Sequence, residues 1–152
     1  MSLRQSWVYR ESTQLVALRW TASRSNGSAK KVAIDAGGEW KLGTQPTTSV
    51  VGNSPTFGQQ FTVKQINPAT QGSLIAAAHD GGICLSVSPK NKQGGSSNAL
   101  PILLAACNPA DPTQRWLLHK THTIISLAPQ EKGAVPMCLD AGSLADNTRP
   151  GL

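Results

Sequence analysis

Charge is scarce in this 152-residue chain: only 14% of its residues are Asp, Glu, Lys or Arg, against about 25% in an average soluble domain. That scarcity argues against a long solvated helix, a coiled coil or a charge-rich disordered tail. Long hydrophobic runs are missing too. The longest, Ala99 to Cys107, has nine residues and contains Pro101, whereas a bilayer span takes about 20. The amino terminus, Met1-Ser2-Leu3-Arg4-Gln5, has no apolar stretch of the kind a secretory leader needs. Cysteine is rare and odd in number. Cys84, Cys107 and Cys138 lie 23 and 31 positions apart, with no CxxC and no His at ligand spacing. This argues against a zinc site and favours one disulfide plus one leftover thiol. There is no Gly-rich phosphate loop and no Gly-x-Ser-x-Gly. His79, His119 and His122 have no catalytic company, and strand alternation would send His119 and His122 to opposite faces. No enzyme activity, metal or cofactor is expected.

What the chain does have is glycine and proline, fourteen and ten respectively. So many breaks in one domain's length suit short strands joined by turns. Repetition organises them. Gln5-Ser6-Trp7, Gln59-Gln60-Phe61 and Gln114-Arg115-Trp116 start 54 and 55 positions apart. An apolar piece follows each: Gln14 to Leu18, Ser73 to Ala76 and Thr123 to Leu127. Asn67-Pro68 reads as the insertion in the middle copy, and Gln14 to Arg24, the one stretch with some helical period, is read as strand. A second piece recurs as Val32 to Gly37, Ile83 to Val87 and Met137 to Gly142. A third precedes the next motif, at Thr48 to Val51 and Ile102 to Cys107. Each repeat thus reads as four short strands. Turn clusters such as Gly52-Asn53-Ser54-Pro55 and Asp80-Gly81-Gly82 separate them.

Gln-x-Trp motifs that each follow a Cys-Leu-Asp piece resemble the ricin-type β-trefoil lectin family. Cys84-Leu85, then Leu103-Leu104-Ala105-Ala106-Cys107, then Gln114-Arg115-Trp116 carry the resemblance best, and it spans nearly the whole chain. It implies an all-β fold: one β-trefoil domain over residues 1–152, with repeats at about 5–58, 59–113 and 114–152, the last truncated. Trp7, Phe61 and Trp116 would fill a common core, and the motif Gln side chains would tie backbone between repeats. The strand count is eleven, and twelve would close the barrel. Either the chain is an excerpt of a longer protein or its barrel closes imperfectly, and the absent leader favours the excerpt.

The resemblance also implies a disulfide between Cys84 and Cys107, with Cys138 equivalent to Cys84. It further implies shallow sugar pockets. In these an Asp at the Cys-Leu-Asp position accepts hydroxyl hydrogen bonds, a ring stacks on the sugar, and the motif Gln closes the site. The acid positions here are Asp35, Ser86 and Asp140. Repeat one keeps Asp35 and Gln59, has Ser49 or Val50 in place of the ring, and offers Trp40 as the platform. Repeat two, with Ser86 and Ala105, is expected to be inactive. Repeat three keeps Asp140, with Asn147 to help, but lacks its stacking strand. Asp35 and Asp140 belong to different repeats, too far apart for a glycosidase pair, which sits about 5–10 Å apart. The expected function is a non-catalytic lectin module for galactose-type glycans, part of a secreted or lysosomal protein and fused to a catalytic domain. A trefoil with decayed pockets that binds protein, and an accessory domain of a glycoside hydrolase, are the alternatives. Arg4, Arg10, Arg19, Arg24, Lys30 and Lys31 face only Glu11 before position 32. Without a nucleic-acid motif, this reads as a solvated basic face. Asn26-Gly27-Ser28 is both an N-glycosylation pattern and an ordinary turn.

Overall fold

A computed structural model of the chain describes residues 6–18, 32–37, 40–66, 71–88, 102–129 and 137–139. They form an all-β protein of two antiparallel sheets. The first has β1 (Trp7–Arg10), β2 (Leu15–Leu18), β3 (Val32–Asp35) and β4 (Thr47–Val50) in sequence order. The second contains β5 (Phe61–Gln65), β6 (Ser73–Ala77), β7 (Ile83–Val87), β8 (Ile102–Ala106), β9 (Trp116–Leu118) and β10 (Ile124–Ser126). Its order is β10-β9-β6-β7-β8, and β5 also pairs with β6. No helix among the described residues is long and apolar enough to cross a membrane.

The strands repeat in register as well as in sequence. Three hairpins each open on a motif aromatic: Trp7 opposite Leu18, Phe61 opposite Ala77, and Trp116 opposite Ser126. In each, the next piece is reached at the equivalent place, through Ala17 to Ala33, Ala76 to Cys84, and Ile125 to Cys138. The hairpins are linked in a ring. The Phe61 amide donates to the Gln14 carbonyl (2.7 Å), and that of Trp7 to the His122 carbonyl (2.6 Å). Ser73 of β6 pairs with Trp116 of β9. Gln14 and His122 hold these carbonyls with φ of 58° and 66°, a left-handed conformation uncommon in non-glycine residues. His119 and His122 therefore lie in the β9–β10 turn, where strand alternation does not operate.

Strand alternation divides the apolar residues between two environments. Val16 of β2, Ile34 of β3, Ile75 of β6 and Leu85 of β7 join the three aromatics in the main core. Trp7, Phe61 and Trp116 are 2%, 0% and 0% exposed. The indole N–H groups of Trp7 and Trp116 donate to the carbonyls of Leu139 and Leu85, the central residues of two Cys-Leu pieces. The opposite strand faces build smaller clusters. Leu15, Ala17 and Ala33 pack with Val51 in repeat one. Leu74, Ala76 and Cys84 pack with Cys107 in repeat two. Cys84 and Cys107 are disulfide-bonded, with Cα atoms 5.0 Å apart. Ala33 and Val51 fill the same places without a cross-link. Cys138, at the position of Cys84 in the third repeat, is free, and burial pushes its thiol above the ordinary range.

Candidate functional site

Asp35 ends β3 opposite Thr47 of β4, half-buried at the sheet surface. Its Oδ1 accepts from the Gly37 amide (2.7 Å), a local turn bond typical of Asp. Its Oδ2 accepts from the Ser49 hydroxyl (2.5 Å). That hydroxyl is aimed from behind. Gln59, 1% exposed, donates through Nε2 to Ser49 Oγ (2.8 Å) and to the Val50 carbonyl (3.2 Å). Its Oε1 accepts from the Thr56 amide (3.0 Å). With its oxygen accepting from Gln59, Ser49 turns its proton to Asp35. The carboxylate is fixed by two donors, and an ionised carboxyl offers about four lone-pair sites. The 3-10 turn Phe57–Gln59 lies against it. The Gly58 carbonyl accepts from Ala36 (2.8 Å), and a Cβ on Gly58 would overlap the Gly37 carbonyl and crowd Asp35 Oδ1. Only glycine fits there.

The structure brings Asp35 and Gln59 together through Ser49, a residue the sequence reading treats only as a missing ring. Trp40 is placed differently. It is half-buried and meets Phe61 edge-on, with ring centroids 5.1 Å apart and planes at 72°. Its Nε1 is buried without a partner among the described residues. An exposed ring on the turn beside Asp35 is Phe57, which stacks on His79 at 4.3 Å. Asp140, Asn147 and the Asn26-Gly27-Ser28 turn lie outside the described residues, as do all the basic residues of the amino-terminal run except Arg10. Among the described residues no three His, Cys, Asp or Glu side chains converge to hold a metal ion.

Repeat two rebuilds this corner with other chemistry. Gln114 is buried and again ties the turn to the preceding strand. It donates to the Ala106 carbonyl (2.8 Å) and accepts from the Asn108 amide (2.8 Å). Ser86 stands where Asp35 does, and Thr113 where Gly58 does. Their hydroxyls are 3.0 Å apart. Asp111 caps the turn Pro112–Gln114, accepting from the Thr113 amide (2.9 Å) and hydroxyl (2.7 Å) at one oxygen. An Asp followed by Pro at the first turn position is a sequence signal for such a cap, and it marks Asp111 as a second acid that the Cys-Leu-Asp pattern does not contain. A cavity of about 480 Å³ opens here, reached by Ser86, Thr113 and Asp111. No protein-family model matches the chain, and no curated protein matches it in sequence.

Proposed function

We propose that the protein is a non-catalytic carbohydrate-binding module of β-trefoil fold, related to the ricin-type lectins, and that it binds the terminal sugar of galactose-type glycans at Asp35. The backbone links that join the three hairpins in a ring, at the Gln14 and His122 carbonyls and through the Ser73–Trp116 pair, support the trefoil. The observation that carries the function is the carboxylate of Asp35, held between Gly37 and Ser49 by a buried Gln59. An acceptor oriented in advance loses little entropy when a sugar hydroxyl arrives. The family resemblance gives Asp140 and Asn147 the corresponding role in repeat three, outside the described residues. The Cys84–Cys107 disulfide favours an oxidising setting, in keeping with a secreted or lysosomal parent that carries a catalytic domain elsewhere. The second reading, a trefoil whose pockets have decayed and which binds protein, is favoured by Trp40, whose ring packs on Phe61.

Titration with methyl β-galactoside, followed at the backbone amides of Gly37 and Gly58, tests the assignment. Each hydrogen bond to a charged group contributes about 1.5–3 kcal/mol. Asp35→Ala is therefore expected to weaken the response about 10–100-fold. Shifts at these amides that survive Asp35→Ala unchanged would remove Asp35 from the site.

A further inference from the structure

We propose that the cleft between β7, β8 and the Leu42–Gly43 turn docks a partner protein by an arginine side chain, its stem on Leu42, Leu103 and Ala105 and its guanidinium against Asp111. The proposal stands whether or not sugar binds at Asp35. At about 480 Å³ the cleft falls within the range of about 300–1,000 Å³ typical of ligand pockets. Its wall is fixed by backbone. Gly43 donates to the Leu104 carbonyl (2.7 Å), and Leu104 donates to the Thr44 carbonyl (2.9 Å), which fastens the turn to β8. The floor is apolar. Leu103 and Ala105 face the cleft because Ile102 and Leu104, alternating with them, are buried in the core. Leu42, 54% exposed, faces them from the wall.

Charge selects the occupant. Asp111 is the one charged residue that lines the cleft among the described residues, so an acidic site sits in a chain of net charge +6. Its Oδ1 is taken by the Thr113 amide (2.9 Å) and hydroxyl (2.7 Å), while its Oδ2 has no partner among the described residues. Thr113 has given its proton to Asp111 and so receives that of Ser86 (3.0 Å), which leaves Ser86 an oxygen lone pair. The edge thus offers a carboxylate oxygen and a hydroxyl oxygen as acceptors. An occupant that fits has an apolar stem and a cationic head with several N–H donors. Arginine has both. Its methylenes cover apolar surface while the head stays polar, and the guanidinium carries five donors and no acceptor. That head reaches two acceptors at once and gives up its water more readily than the lysine ammonium. An acidic occupant is repelled by Asp111, and a wholly apolar one strips water from Oδ2 without replacing it.

The probes are the peptide acetyl-Ala-Arg-Ala-amide and its lysine and citrulline counterparts, titrated into the whole chain and followed at the backbone amides of Ser86 and Thr113. Citrulline keeps the length and shape of arginine without its charge. Asp111→Asn keeps the turn cap, since Asn caps as well as Asp, while it removes the charge. Leu42→Ser removes apolar wall at an exposed position. The expected result is a response to the arginine peptide that is several-fold weaker with lysine and at least tenfold weaker with citrulline. Asp111→Asn should weaken the arginine response at least tenfold, Leu42→Ser several-fold, and Asp35→Ala not at all. No response to the arginine peptide at Ser86 and Thr113 overturns the proposal. So does a response that citrulline matches, or one indifferent to both Asp111→Asn and Leu42→Ser. A response of these amides to methyl β-galactoside and not to the arginine peptide overturns it as well. The arginine response together with no galactoside response at Gly37 and Gly58 upholds this site and removes the one at Asp35.

Discussion

Trp116→Ala is expected to destabilise the protein by about 3–5 kcal/mol, the range found for removing a buried Trp or Phe. The ring is fully buried. It lies in the main core with Phe61, Leu85 and Ile102, so several strands lose a neighbour at once. Its indole N–H also donates to Leu85 O, and the substitution withdraws that donor from a buried carbonyl. A domain of this size loses about 2–4 °C of Tm per kcal/mol, so Tm should fall by about 6–20 °C. Trp116→Phe, which keeps most of the volume and loses the hydrogen bond, should cost about 1–3 kcal/mol. Unfolding curves for Trp116→Ala that overlay those of wild type would mean that the motif aromatic is not a core residue.

The second large effect concerns the cross-link. Repeat one shows what repeat two looks like without it, because Ala33 and Val51 pack in the places of Cys84 and Cys107. The double substitution Cys84→Ala with Cys107→Val therefore retains a packing the chain already uses and removes only the bond. Closing a loop across a separation of 23 residues is worth roughly 3 kcal/mol through the entropy of the unfolded chain, and that is the loss expected in denaturant unfolding. In the converse direction, Ala33→Cys with Val51→Cys should close a second disulfide under oxidising conditions and raise the denaturant midpoint. A double variant as stable as wild type, with no disulfide formed by the converse pair, would break the equivalence of the two repeats.

Much of the architecture is legible in the chain because repetition amplifies weak signals. A single Gln-x-aromatic tripeptide carries no information. Three at near-equal spacing mark Trp7, Phe61 and Trp116, all of which are buried and open strands. The Cys84–Cys107 pair follows from the family resemblance and is formed. The site is less legible, since its geometry depends on which way side chains turn after the strands are laid down. Asp35 and Gln59 are visible as positions in a pattern. Ser49, which joins them, is an ordinary strand residue until its hydroxyl is seen between the two. Trp40 has two uses open to it from sequence, a platform at the surface or a filler against Phe61, and its large apolar ring goes to the second. Asp111 is masked by its own local role, since an Asp that caps a turn needs no other explanation. The cavity beside it is formed by the Leu42–Gly43 turn, 68 residues or more away along the sequence, a contact no local pattern contains.

We propose that this chain recognises neutral sugar through fixed acceptors, not anionic surfaces through its net charge of +6. Binding of the whole chain to a glycan array at low and at high salt separates the two most directly, because interactions between exposed charges fade as the screening length falls from about 10 Å at 0.1 M to about 3 Å at 1 M salt. The result expected is retention on neutral galactose-terminated glycans that is the same at both salt concentrations. Signal confined to sulfated or sialylated glycans and lost at high salt, or no signal on neutral glycans at either concentration, would contradict it.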